Sequence, residues 1–234
     1  MPYVMGRARR GVVGSSRYAH RLRQALLEAA KDAEHRPLLI RREPGLEKDN
    51  LAALVHYGSE RRRRLLVRLD AGDLQGNGRL LLDDLQDSSL LVSGIDRLEP
   101  AVQQRLISMA RGESPQFTGR VLFTSETHLS CLDGIAQLIR VPPLRVRGED
   151  LVGDWIRYMV RLQSSGLGWE QPPAVPDAVV RRLQNHDFAN NLRELETLVD
   201  RALRQARQQS SASGLPTMLP EEVFWTGYQS QKAR

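Results

Sequence analysis

The sequence predicts an α/β fold: a parallel sheet with helices on both faces, followed by a small all-helical domain. Three observations predict it. Short continuous apolar runs alternate with amphipathic stretches from Ser15 to Val141, as strands buried on both faces and joined by crossover helices do. From Glu149 onward apolar residues recur at helical spacing and no strand run occurs. The length, 234 residues, suits one large domain with a smaller companion at roughly 150 residues per domain.

The first helix runs from Ser15 to about Lys31, with Leu22, Ala25, Leu26, Ala29 and Ala30 on one face and Ser15 or Ser16 as cap. Pro37 ends that stretch, and Leu38-Leu39-Ile40 reads as a buried strand. A turn at Glu43-Pro44-Gly45 leads into a second helix from about Lys48 to Tyr57. Leu65 to Leu69 is the second strand, Gly72 to Gly78 a loop, and Leu80 to Leu85 a short helix. Ser89 to Ser93 is the third strand, Glu99 to Ala110 a helix, Arg120 to Thr124 the fourth strand, and Ile135 to Val141 the fifth, stopped by Pro142-Pro143. Three helices follow, Asp150 to Gln163, Pro176 to Asn185 and Asn191 to Gln209. Ser210 to Gly214 is a loop, and Pro220 to Trp225 a last helical turn. The expected division is a flexible N-terminus over 1–11, an α/β core over 12–148, a helical lid over 149–226 and a flexible tail over 227–234.

Composition narrows the function. Hydrophobic residues make up 41% and charged residues 26% of the chain, which excludes wholesale disorder. No apolar run reaches the roughly 18 residues of a membrane span, and MPYVMGRARRGVVG has no apolar core of a secretory signal. Cys131 is the only cysteine, which excludes a disulfide framework and a cysteine zinc site and makes a cytoplasmic location the expectation. His20, His35, His128 and His186 have no mutual ligand spacing, so no metal site is expected. His56, among apolar neighbours on a helix, reads as a packed structural histidine. The net charge is +6, and because Lys31, Lys48 and Lys232 are the only lysines, 31 of the 34 basic residues are arginine. Those arginines are dispersed among acids, even around Arg61 to Arg64, which favours solvated helix faces over a nucleic-acid stripe.

The stretch from Leu38 to Asp49 is a strand, a turn and a helix start carrying a lysine, the layout of a P-loop. A working P-loop reads Gly-x-x-x-x-Gly-Lys-Ser/Thr. Its glycines let backbone N–H groups wrap the phosphates, and its lysine neutralises them. Here Arg42 and Glu47 stand in place of the glycines, while Lys48 remains. Further stretches join this one: Leu54-Val55-His56, Gly58-Ser59-Glu60-Arg61, Gln103 to Leu106, Pro142-Pro143-Leu144-Arg145 with Arg147, Glu149 and Asp150, and Asn191-Leu192-Arg193-Glu194-Leu195-Glu196. From Val12 to Trp225 the chain resembles the central AAA+ domain of the bacterial enhancer-binding proteins, the sigma-54-dependent transcription activators.

That resemblance implies a P-loop AAA+ sheet with a helical lid, and a nucleotide site at Glu43, Pro44, Gly45, Lys48, Asp49 (glutamate in the family) and the sensor II arginine, Arg193. The departures fall on the catalytic positions. The strand ending at Val92 continues as Ser93-Gly94 where the family has the Walker B Asp-Glu pair, and Asp96, two residues further on, is not expected to substitute. Glu126 stands at sensor I. The finger positions fall near Thr127 and Asp133, and Arg140 is the only arginine of that segment. No Gly-Ala-Phe-Thr-Gly-Ala loop, the family's sigma-54 contact, lies between Leu66 and Leu90.

The expectation is therefore a degenerate AAA+ domain with no catalytic residues. It would bind ATP or ADP weakly or not at all, and would act as a transcription-related regulatory or interaction module toward protein partners, alone or as a homo- or hetero-oligomer. The alternative is an active ATP-dependent activator or remodeller working as a ring. Direct DNA binding is not expected, since little chain follows Trp225 to form the family's helix-turn-helix. A surface ion pair with Glu47 or Asp49 accounts for Lys48 as well as phosphate contact does, and an ion pair with Glu196 or Asp187 is the ordinary role for Arg193.

Overall fold

The computed structural model describes residues 3–74, 85–147, 149–210 and 214–226. The expected short helix near Leu80 and the tail over 227–234 lie outside them. By internal contacts the chain forms two compact units. One comprises 1–12, 21–43 and 47–141; the other comprises 13–20, 44–46 and 142–234.

The first unit is built on a six-stranded sheet. Its strands are β1 (Tyr3–Val4), β2 (Leu38–Arg42), β3 (Leu66–Asp70), β4 (Ser89–Ser93), β5 (Val121–Ser125) and β6 (Gln137–Val141), in the spatial order β1-β3-β4-β5-β2-β6. The last five are mutually parallel. The register sets Leu38 against Leu122 and Gln137, and Val92 against Leu69 and Phe123. β1 is antiparallel, with Tyr3 opposite Arg68 and Val4 opposite Val67. Within the stretch 1–11, nothing in the sequence signals this strand. Two residues are too few to show a period in sequence, but the β3 edge offers unpaired backbone groups that they satisfy.

Both sheet faces are buried. One carries Leu39, Val67, Leu69, Leu90, Val92 and Phe123 against Leu106, Ile107 and Met109 of α3 (Pro100–Ala110). The other carries the fully buried Leu38, Ile40, Leu66, Leu91 and Leu122, and α2 (Lys48–Gly58) packs against β2, β4 and β5. Helix α1 (Arg17–Ala30) starts under a Ser16 cap, whose Oγ accepts the Ala19 N–H at 3.2 Å. Its other end is held by Arg120, only 2% exposed, which donates to the carbonyls of Ala29 and Arg36, both at 2.9 Å. The guanidinium thus satisfies a carbonyl that the end of a helix leaves orphaned.

His56 is 2% exposed and meets the Arg64 carbonyl through Nε2 at 3.0 Å. Burial pushes its pKa below the ordinary imidazole value, and the Arg64 carbonyl opposes that only in part. A depressed histidine pKa contributes stability that is present above the unfolded value, about 6.5, and is lost as pH falls through the folded one. Urea midpoints of the wild type should therefore decline as the solution is acidified below about pH 6. His56→Gln, which keeps a donor without a titrating ring, should flatten that decline. Equal slopes in the two proteins would assign the acid sensitivity to other groups.

The second unit is helical: α4 (Glu149–Ser164), α5 (Asp177–Gln184), α6 (Asn191–Gln209) and α7 (Glu222–Trp225). The parallel bridge Ala174–Met218 adds an extended pairing that the sequence did not suggest. Trp155, Trp169, Phe188 and Phe224 are buried here, and Trp169 Nε1 donates to the Pro216 carbonyl at 3.1 Å. These four rings belong to the core of the helical unit. Arg182 covers the Trp225 ring at 3.9 Å.

Candidate functional site

The turn between β2 and α2 is where a P-loop would wrap phosphate. Its first residue, Arg42, is 6% exposed, and its Nη1 donates to the Glu43 carbonyl at 2.7 Å. Burial presses the Arg42 charge below its ordinary pKa, against the opposing fields of Glu126 and Asp49. Its Nε and the Oδ1 of Asp96 are both buried without a hydrogen-bond partner, and Asp96 is among the acids whose field favours the Arg42 charge. At the far end, Glu47 is the N-cap of α2 but makes no side-chain cap bond. Its carboxylate instead pairs with Arg10, whose Nε lies 3.0 Å away. Asn50 holds the same N-terminal segment, accepting the N–H groups of Arg9 and Arg10 at 2.8 and 3.2 Å and donating to the Arg10 carbonyl at 3.0 Å.

The crest of the turn, 44–46, packs within the helical unit. Asn191 is fully buried at φ +49°. Its Oδ1 accepts the Leu144 N–H at 2.7 Å, and its Nδ2 donates to the Pro44 carbonyl at 2.9 Å. The Gly45 carbonyl accepts the Arg193 N–H at 3.3 Å. Gly45 sits at φ +76°, and a Cβ there would fall 1.9 Å from the Asn190 oxygen. The crest therefore requires glycine twice over, for its backbone angle and for the closeness of its neighbour.

One helix turn on, Asp49 lies at the end of a charged chain. Its Oδ1 accepts the Ser93 hydroxyl at 3.0 Å, and its Oδ2 accepts Arg68 Nε at 2.6 Å. Arg68 also holds Asp70, with nitrogen–oxygen distances of 2.5 and 2.8 Å, and lies 5.2 Å from the centre of the Tyr3 ring. Burial works against the Arg68 charge, but Asp49 and Asp70 outweigh it and hold the guanidinium above its ordinary pKa.

Beyond Ser93, Gly94 sits at φ +72°, with the Arg97 guanidinium 2.5 Å from where a Cβ would be. An acid at position 94 would meet both an unfavourable backbone angle and that guanidinium. The Asp96 Oδ2 accepts the N–H groups of Glu126 and Thr127 at 3.0 and 3.1 Å and the Thr127 hydroxyl at 3.2 Å. Asp96 thus ties down the turn after β5.

The residues expected to hold nucleotide are dispersed in role. Glu43, Pro44 and Gly45 spend their carbonyls on Arg42, Asn191 and Arg193 respectively. Asp49 is committed to Ser93 and Arg68. Lys48 opens α2, and its side chain lies outside the described residues. The Arg193 side chain is exposed, and among the described residues it forms no ion pair with Glu196 or Asp187. The sequence reading missed Arg68 and Asp70. Their signal was available: two charged residues in a strand whose neighbours are apolar are out of place in a parallel sheet.

No family model matches the chain. Among curated proteins it is 31% identical to the transcriptional regulatory protein FlbD of Caulobacter vibrioides, over 54% of this chain and 30% of that protein. It is 23% identical to a limonene hydroxylase of Geobacillus stearothermophilus, over 95% of this chain and 47% of that protein. It is 29% identical to the putative uric acid sigma-54-dependent transcriptional regulator UacR of Escherichia coli, over 53% of this chain and 22% of that protein. The chain therefore spans less than half the length of each of these relatives. Among solved structures it superposes on NtrX of Brucella abortus in complex with ADP with a TM-score of 0.70 and 16% identity, covering 90% of this chain and 55% of that one.

Proposed function

We propose that this chain, which has the AAA+ fold and resembles the sigma-54-dependent transcription activators, is a regulatory or interaction module that binds ATP weakly or not at all and does not hydrolyse it. The observation that carries the reading is the commitment of the acids around β4. Phosphoryl transfer in P-loop proteins needs a Walker B carboxylate to hold Mg²⁺ and a group that orients the attacking water. Ser93 and Gly94 supply neither, the Asp96 Oδ2 is taken by the 126–127 turn, and both Asp49 oxygens are engaged. The Mg²⁺-nucleotide that the fold family implies does not fit this donor set. Loss of an arginine finger alone costs about 10³–10⁵ in rate, and by the resemblance the finger positions fall near Thr127 and Asp133. The surviving role is protein contact, in keeping with the transcription regulators among its relatives.

Phosphate release from ATP with Mg²⁺ should stay at background. Calorimetry should give no binding, or binding weaker than about 1 mM, near −4 kcal/mol. The double replacement Arg42→Gly with Glu47→Gly, which returns both P-loop glycines, should tighten nucleotide binding at least about tenfold, a gain of about 1.4 kcal/mol, and still give no turnover. Steady wild-type turnover that Lys48→Ala abolishes would overturn the proposal.

A second reading, a working ATP-driven ring, draws on the likeness to NtrX, which was solved with ADP. It requires nucleotide-dependent oligomers in sedimentation velocity. A monomer with and without nucleotide would remove it.

A further inference from the structure

We infer that Arg68 is the resident cation of this site: its guanidinium takes the place beside Asp49 and Ser93 that a divalent ion takes in a working P-loop. In those proteins the ion is held by a hydroxyl from the residue after the P-loop lysine and a carboxylate from the end of the Walker B strand. Here the acid after the lysine, Asp49, matches the acid that the resembling family carries there, but the Walker B acid is gone: the hydroxyl of Ser93 ends β4 and donates to Asp49 at 3.0 Å. That acid–hydroxyl pair alone would lie open to a cation. Arg68 closes it, with Nε 2.6 Å from the Asp49 oxygen that Ser93 does not use.

Three further features make the placement stable. The register β3–β4 sets Asp70 opposite Ser93, so the second acid lies at the same end of the sheet. The guanidinium spans Asp49 and Asp70 with separate nitrogens, a forked geometry that a planar cation serves and a point charge does not. Tyr3 of β1 faces the same guanidinium at 5.2 Å, a cation–π contact from the edge strand. The Arg68 side chain is 15% exposed.

The inference rests on the reading that this site does not hydrolyse ATP. Its test omits nucleotide from every arm, so the two can fail separately. Thermal melts of the full chain are recorded with MgCl₂, with MnCl₂, with EDTA, and with NaCl at matched ionic strength. The wild-type midpoint should be the same in all four. Arg68→Ala should melt several degrees lower, and millimolar Mg²⁺ or Mn²⁺ should recover part of the loss while NaCl does not. Adding Asp49→Asn to Arg68→Ala should abolish that recovery. Arg68→Gln, which keeps side-chain donors without the charge, carries the same arms should Arg68→Ala fail to fold. Two results overturn the inference. One is a wild type stabilised by Mg²⁺ in a way that Asp49→Asn removes. The other is a folded Arg68→Ala or Arg68→Gln protein whose midpoint ignores divalent ions.

Discussion

Asn191→Ala is expected to destabilise the helical unit by about 3–7 kcal/mol. The substitution strands two groups at a fully buried position, the Leu144 N–H and the Pro44 carbonyl, at about 1–3 kcal/mol each. It also places alanine at φ +49°, a left-handed angle that asparagine tolerates better, which adds about 1 kcal/mol. Urea denaturation measures the sum. Two companions separate the parts. Asn191→Gly removes the side chain but suits the angle, so it should fall about 1 kcal/mol short of the alanine loss. Asn191→Asp keeps the acceptor for Leu144 and loses the donor to Pro44. A total loss below about 1 kcal/mol for alanine would mean that water replaces the amide at this position.

Gly45→Ala should cost about 3 kcal/mol, because a left-handed angle accounts for only about 1. The remainder is collision. A Cβ 1.9 Å from the Asn190 oxygen forces the crest away and breaks its bonds to Asn191 and Arg193. Gly112→Ala is the control: the same φ of +76° with nothing within 4 Å of the added carbon, so it should lose only about 1 kcal/mol. Gly45→Ala and Asn191→Ala disrupt one shared set of contacts. Their double variant should therefore lose less than the sum by about 1 kcal/mol or more. Additive losses would show that the crest and Asn191 act independently.

The five parallel strands were legible because each is a short apolar run between breakers, and the lid helices because their apolar residues keep a helical period. β1 was not legible, since a two-residue strand has no pattern of its own and exists only because an edge accepts it. Arg42 and Glu47 were seen as absences of glycine. What they do in the fold depends on partners distant in sequence, Glu126 for one and Arg10 for the other. Asn191 was read as part of a motif, but its contacts with Leu144 and Pro44 span 47 and 147 positions along the chain. Arg68 shows the same limit. Its misplacement in a strand was visible, but Asp49 as its counter-charge was not.

An ion borrowed from solution comes and goes with supply. A guanidinium carried on its own side chain cannot diffuse away, so the charge that Asp49 and Asp70 need beside them comes from the same polypeptide that supplies the acids.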